Sequence, residues 1–451
     1  MSVPTPARIK KRSPACLPAT KQLQMAKMRD SDDSSSPEAH QEDPSPASVA
    51  VRNGEEDSPT PSPQTRRVLR TVLTRLGIAV TLLGGLHYYI GTRLIDGTGL
   101  RGGGRLAAWS VIWLLLASVP LGLLSWRLFP RWVARPIRTI GHLWIGLFGL
   151  ALSSVVVTDV IRFLVNLLGT TPVERLRFGE IQSFAVLAIV GLAGTIGFRT
   201  ARGPARLERL RFPVNRLGSA FDGFRIVQIS DLHITQDQNP RALARVIEQV
   251  NALEPDLVAI TGDLIDGQVS DLRPYVAPLA NLRSKEGVFF VTGNHEYYHG
   301  ADAWSEQIRR LGVVVLHNEH RVLRRGSAGL VVAGVTDYDG GHFHPRHESR
   351  PDLALAGAPE EFPRILLAHQ PRSAARAAGE KVDLQLSGHT HGGQIFPFMF
   401  FVRLQQPMVS GLKKLYGLWV YTSRGTGYWG PPFRVGPTPE ITEVELVQAR
   451  N

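Results

Sequence analysis

The nine residues Ser387-Gly388-His389-Thr390-His391-Gly392-Gly393-Gln394-Ile395 hold two histidines one residue apart, with glycine on either side. They follow the apolar run Leu384-Gln385-Leu386. If that run is a strand, its end delivers two imidazoles into a small space where glycine lets backbone approach closely. A His-x-His pair alone carries little weight. Four more blocks lie upstream, each just after an apolar run: Asp231-Leu232-His233, Gly262-Asp263, Gly293-Asn294-His295-Glu296, and His369. Their donors are oxygens and imidazole nitrogens. Such a set suits Mn, Fe or Zn and is too rich in histidine for a Mg or Ca cage. The only cysteine is Cys16, so no disulfide within the chain and no thiolate zinc site can form.

Each block also has a plain structural reading. Asp231 could cap a helix, Gly262-Asp263 and Asn294 could make turns, and His369 could be a satisfied core histidine. Five such blocks in order at strand ends argue against coincidence. The histidines at 342, 344 and 347 are interrupted by Pro345 and Arg346 and read as a surface loop.

The elements that must position these groups are legible. Residues 224–229 read as a strand, 240–253 as a helix and 257–260 as a strand, a β-α-β unit. Further strands are expected at 287–291, 330–333, 365–368, 384–386, 420–422 and 441–446. Strands interleaved with helices imply an α/β domain with layered sheets. In such sheets ligand groups gather at the carboxyl ends of strands.

Here the chain resembles the calcineurin-like metallophosphoesterases, whose pattern is Asp-x-His, Gly-Asp, Gly-Asn-His-Asp/Glu, a lone His, then Gly-His-x-His. All five blocks occur in that order between Asp231 and His391. The stretch Gly392-Gly393-Gln394-Ile395, with Ser423-Arg424-Gly425-Thr426-Gly427 and Pro439-Glu440-Ile441, is similar to a membrane-anchored bacterial branch. The resemblance implies a four-layer αββα sandwich over 222–447 and two divalent or trivalent metal ions (Mn, Fe or Zn). Asp231, His233 and His391 would hold one ion; Asn294, His369 and His389 the other; Asp263 would bridge them. His295 would act beside the scissile phosphate, stabilising its charge or protonating the leaving group. Asp263 and His295 are thus the expected catalytic residues, with Glu296 orienting His295 or ligating metal. A bridging carboxylate suits two cations about 3.5–4 Å apart that share and acidify a water. The expected chemistry is in-line attack of a metal-bound hydroxide on phosphorus, without a protein nucleophile.

The rest of the 451 residues is uneven. Residues 1–65 are rich in Ser, Pro and acidic side chains and read as a disordered polar leader. Met25 and Met28 are alternative starts that would remove Cys16. Residues 66–200 carry apolar segments near 76–92, 106–126, 139–158 and 181–198, expected as about four transmembrane helices, with three to five in range. Residues 201–221 read as a basic linker. The net charge of +12 invites a nucleic-acid partner. Many arginines, however, flank the apolar segments, and no nucleic-acid-binding module is seen, so the expected partner is the lipid bilayer. Arginine bias across the loops predicts a multi-pass protein of the plasma membrane with both termini and the esterase domain in the cytoplasm.

The expected substrate is a phosphate ester. Apolar stretches at 395–402 and 412–420, with Lys413 and Lys414, follow the last metal block and could dip into the headgroup region, which favours a lipid-linked ester. Competing readings are a tethered phosphodiesterase for soluble nucleotides, a phosphoprotein phosphatase, and a membrane sensor with an idle esterase domain. Complete ligand blocks argue against the idle version. Acidic residues are absent from within the apolar segments, apart from Asp159 near the end of one, which argues against ion transport. Oligomeric state is not readable from the chain.

Overall fold

The structure is a computed structural model that describes residues 63–237 and 240–449. The polar leader lies, up to residue 62, outside the described residues. Four long helices come first: α1 (Pro63–Gly97), α2 (Gly102–Leu128), α3 (Arg131–Leu167) and α4 (Pro172–Arg202). All four are long and apolar enough to cross a membrane. Each exceeds its apolar run because the polar flanks stay helical. The start of α4 shows how: the Glu174 carboxylate accepts from the Thr171 backbone N–H at 2.7 Å, and the Thr171 hydroxyl accepts from Glu174 N–H at 3.3 Å. This reciprocal cap starts the helix nine residues before position 181. Short connections make chain neighbours antiparallel. A side chain at Gly141 would lie 2.6 Å from the Ser118 carbonyl oxygen, so glycine sets the close approach of α2 and α3.

The remaining elements are β1 (Arg206–Val214), β2 (Phe224–Ile229), α5 (Pro240–Ala252), β3 (Leu257–Ile260), α6 (Val269–Val276), β4 (Val288–Phe290), α7 (Asn294–Tyr298), α8 (Ala301–Arg310) and β5 (Val314–Val315). Then come β6 (Glu319–Arg325), β7 (Ala328–Gly334), α9 (Gly340–Phe343), α10 (Pro351–Leu355), β8 (Arg364–Leu367), β9 (Leu384–Ser387), α11 (Met399–Gln405), β10 (Gly411–Leu415), β11 (Leu418–Thr422) and β12 (Glu440–Gln448). They build two mixed six-stranded sheets, ordered β1-β12-β2-β3-β4-β5 and β10-β11-β9-β8-β7-β6. Within the first, β2, β3, β4 and β5 are parallel; within the second, β7, β8, β9 and β11 are parallel.

Alternation decides the layers. Ile226, Leu257 and Phe289 of the first sheet face Val332, Ile365 and Leu384 of the second in one dry core. The opposite face of the first sheet, with Val227, Val258 and Phe290, packs on Ile247 of α5, Leu272 of α6 and Trp304 of α8. The outer face of the second, with Val331 and Leu366, packs on Ala354 and Leu355 of α10. The fold is therefore the expected αββα sandwich behind four apolar helices.

One expectation is corrected. The stretch 201–221 is not simply a linker, because Arg206–Val214 forms β1 and pairs in parallel with β12. Its alternation was masked by arginine: Phe212 and Val214 point into the core while Arg209 reaches Glu443 at 2.8 Å on the outer side.

Helices and sandwich are joined by a seam. Phe433 is buried among Leu143, Leu147, Leu150, Val190, Ala193 and Phe198 of α3 and α4. A side chain at Gly146 would fall 2.5 Å from its ring, so this socket needs glycine. The next residue, Arg434, donates its backbone N–H to the Gly197 carbonyl of α4 at 2.9 Å. Near the start of α3, Arg135 and Arg138 lie 3.5 and 3.4 Å from the Asp237 carboxylate.

Candidate metal centre

The five blocks follow β2, β3, β4, β8 and β9, parallel strands whose carboxyl ends meet where the two sheets face each other. The Asp231 carboxylate ties the two sheet ends together, accepting from the His389 backbone N–H at 2.9 and 3.1 Å. Asp263 does the same for the third block, its Oδ1 accepting from His295 N–H at 2.9 Å. Glycine makes these approaches possible. A side chain at Gly388 or Gly293 would lie 2.2 Å from the Asp231 or Asp263 carboxylate respectively.

Backbone strain concentrates on the same residues. Asp231, His233, Asp263, His389 and His391 all have positive φ, between 45° and 71°. That conformation costs a non-glycine residue roughly 1–2 kcal/mol, and it persists where surrounding contacts over-determine it.

Among the donor groups that converge in the described residues, two hold most of the expected ligands. Asp231, His233 and His391 bring one donor atom each within 4.8 Å of one another, as do Asp263, His369 and His389. The Asp263 Oδ2 atom lies 3.2 Å from His369 Nε2 and 3.8 Å from His233 Nε2, so it stands between the groups. His233 Nε2 and His391 Nε2 face each other at 3.0 Å. Two imidazole nitrogens can meet so closely only as donor and acceptor, or as two lone pairs aimed at one cation. Asn294 begins α7, and its buried Oδ1 has no hydrogen-bond partner, a cost usually offset by a ligand, water or ion. The donor chemistry, the shared carboxylate and this orphaned amide oxygen fit a pair of hard or borderline cations.

Burial opposes charge on His233, yet the Asp266, Asp263 and Asp231 carboxylates outweigh it and push the imidazole up to about 9. His389 goes the other way, pushed down to about 3 by burial and then by the adjacent His369. A neutral His389 keeps the lone pair a metal needs.

Two residues were missed and one was misread. Asp266, three residues after Asp263, accepts from His295 Nδ1 and lies 3.2 Å from His233 Nδ1. It orients one imidazole from each of two blocks, and the Gly-Asp-x-x-Asp spacing was the available signal. Arg434 is fully buried and donates to His391 Nδ1 and to the His391 carbonyl oxygen, each at 3.2 Å. Nothing in the local sequence marks it. Glu296 neither touches His295 nor joins a donor group. Its carboxylate accepts from the backbone N–H groups of Gly293, Asp263 and Leu264 at 2.6, 3.0 and 2.8 Å. It thereby fixes the turn that carries Asp263, and burial with the Asp263 charge pushes it up to about 7. The histidines at 342 and 344 are exposed and His347 half-buried, as a surface loop requires.

Comparison with known proteins agrees with this geometry. The calcineurin-like phosphoesterase family model matches residues 224–393. A metallophosphoesterase of Aquifex aeolicus is 33% identical over 246 residues, covering 53% of this chain and 91% of that protein. The chain belongs to the calcineurin-like metallophosphoesterase family. Residues 224–393 are accordingly a metal-dependent phosphoesterase domain. Proteins named "Transmembrane protein with metallophosphoesterase domain" are 37% identical in Danio rerio and 39% in Bos taurus, over 59% and 61% of this chain. The chain spans 63% and 65% of the length of these two relatives.

Proposed function

We propose that this metallophosphoesterase is a multi-pass membrane enzyme that hydrolyses a phosphate ester with two metal ions. Asp231, His233 and His391 would hold one ion and Asn294, His369 and His389 the other, with Asp263 available to both. The observation that carries this reading is the Asp263 carboxylate set between two imidazole groups, with the Asn294 amide oxygen unsatisfied beside it. Bound there, Mn, Fe or Zn ions would acidify a shared water and offset charge on the phosphoryl oxygens.

The chain's own residues supply the rest. Asp266 accepts from His295 Nδ1 and so fixes the ring, with Nε2 3.9 Å from Asp263 Oδ2. From that atom a proton can pass to the departing alcohol oxygen. Arg434 donates to the His391 carbonyl oxygen and so holds the loop that carries this residue from behind. Trp429 and Tyr298, both exposed, put their rings 5.9 and 5.1 Å from the His295 ring. Such an aromatic rim suits an ester with an apolar leaving group, and four membrane helices supply the setting for a lipid-linked one. We place the chain with the membrane-anchored bacterial members of its family, in the plasma membrane. The catalytic domain faces the cytoplasm, on the side where the arginine-rich ends of α3 and α4 lie.

The test uses the full chain in nanodiscs, because Phe433 and Arg434 lean on α3 and α4. After metal stripping and Mn²⁺ addition, hydrolysis of bis-p-nitrophenyl phosphate is compared with that of p-nitrophenyl phosphate. Manganese-dependent turnover that disappears in Asp263→Asn supports the reading. Turnover unaffected by that substitution rejects it.

A further inference from the structure

The segment after His391 leaves the sheet edge and forms α11. A side chain at Gly393 would fall 2.5 Å from Met399 Cα, so the start of this helix rests on the metal loop itself. Its outer surface is apolar. Phe400, Phe401 and Leu404 are 56%, 62% and 84% exposed, and their three- and four-residue spacing puts them on one face. A soluble surface has no use for such a face unless something covers it.

The neighbour shows what does. Phe398, at the start of α11, packs on Gly149 of α3, where a side chain would lie 2.9 Å from Cε2 of its ring. From Gly149 to Leu167, the far end of α3, the helix rises about 27 Å, close to the ~30 Å of a hydrocarbon core. Counted instead from Arg162, the last charge on α3, the rise is about 20 Å. The first register sets α11 at the near boundary of the bilayer and the second about 10 Å inside it, the depth range of interfacial helices. Chemistry beside the helix agrees. A cavity of about 470 Å³ between α11 and β10 is lined by Arg403, Met408, Leu412 and Lys413 among others. Arg403, Lys413 and Lys414 are exposed and form no ion pair among the described residues. Unpaired cations beside an apolar helix face match an anionic headgroup above acyl chains.

We propose that α11 and its adjoining cavity form a lipid-docking face, with Phe400, Phe401 and Leu404 bedded in the near leaflet and Arg403 and Lys413 on the phosphate of a phospholipid headgroup. The metal loop then opens at the bilayer surface. This rests on α1–α4 being membrane spans and is separate from whether the metal site turns over.

The test is label depth in the full chain, reconstituted in phosphatidylcholine nanodiscs with and without phosphatidylglycerol. In a Cys16→Ser background, Phe401→Cys, Leu404→Cys and, as an aqueous control on α5, Glu248→Cys carry a nitroxide. Oxygen and nickel-chelate accessibilities should place positions 401 and 404 ~5–10 Å below the phosphates, and 248 in water. Positions 401 and 404 as aqueous as 248 would overturn the proposal. Phosphatidylglycerol should deepen both labels, and Arg403→Glu with Lys413→Glu should abolish that deepening; no deepening, or deepening that survives, overturns the headgroup assignment. Release of the labels by excess inorganic phosphate would reassign the cavity to a soluble anion and overturn it too. Manganese-dependent hydrolysis of bis-p-nitrophenyl phosphate by the same labelled proteins separates the two readings. Turnover with aqueous labels sinks this one alone, and buried labels without turnover sink the proposed function alone.

Discussion

A carboxylate cluster in the helical region and one at the sheet edge are built on opposite plans. Asp159 of α3 accepts from Tyr89 and Arg93 of α1 at 2.6 and 2.8 Å and from Gln182 of α4 at 2.7 Å. A permanent guanidinium and two neutral donors close that site, and the result is a clamp among three helices. Asp263 is buried more deeply, yet its Oδ2 meets only imidazole nitrogens, at 3.2, 3.8 and 3.9 Å. No lysine or arginine pairs with it among the described residues. Where the chain balances its own buried charge, the cluster is architecture. Where only titratable imidazoles meet the carboxylate, their protons can give way to a metal ion, and the cluster suits chemistry.

Substitution should separate the two plans. The largest effect is expected from Asp263→Asn, which keeps shape and removes the shared charge: hydrolysis should fall by at least ~10²-fold, with bound metal falling alongside in elemental analysis. Asp266→Asn should cost about 10–100-fold in turnover or metal affinity. Its mark would be a loss concentrated in kcat and an altered pH profile, because it acts through the His295 and His233 rings. Asp159→Asn should leave the Mn²⁺ requirement and substrate preference unchanged while lowering stability of the full chain in detergent by about 1 kcal/mol. An Asp159→Asn chain that loses metal would erase the contrast between the clusters.

How much of this could be read beforehand depends on how local the signal is. The five metal blocks are short and each follows its own strand, so residue type and position sufficed to bring Asp231, His233, Asp263, Asn294, His369, His389 and His391 under notice. Layered α/β sheets followed from apolar runs of strand length such as 224–229 and 257–260, while the four-layer αββα order came from the resemblance to the calcineurin-like metallophosphoesterases. Strand β1 hid because Arg209 and Arg211 interrupt its outward face and its partner, β12, is more than 200 residues away. Glu296 was misread because its role lies in three backbone N–H groups, which a sequence does not display. The Phe433 socket and the Arg434 contact to His391 are products of long-range packing between the sandwich and α3 and α4. That coupling is the least legible part of the site, and it explains why the helices belong in every assay.

The most direct measurement is metal stoichiometry by elemental mass spectrometry on the full chain after Mn²⁺ loading and desalting, beside Asp263→Asn. Two manganese ions per chain, with fewer than two retained by the variant, is the expected result. A folded chain that retains no metal, or a variant that holds both ions as tightly as the parent, would contradict a centre built around Asp263.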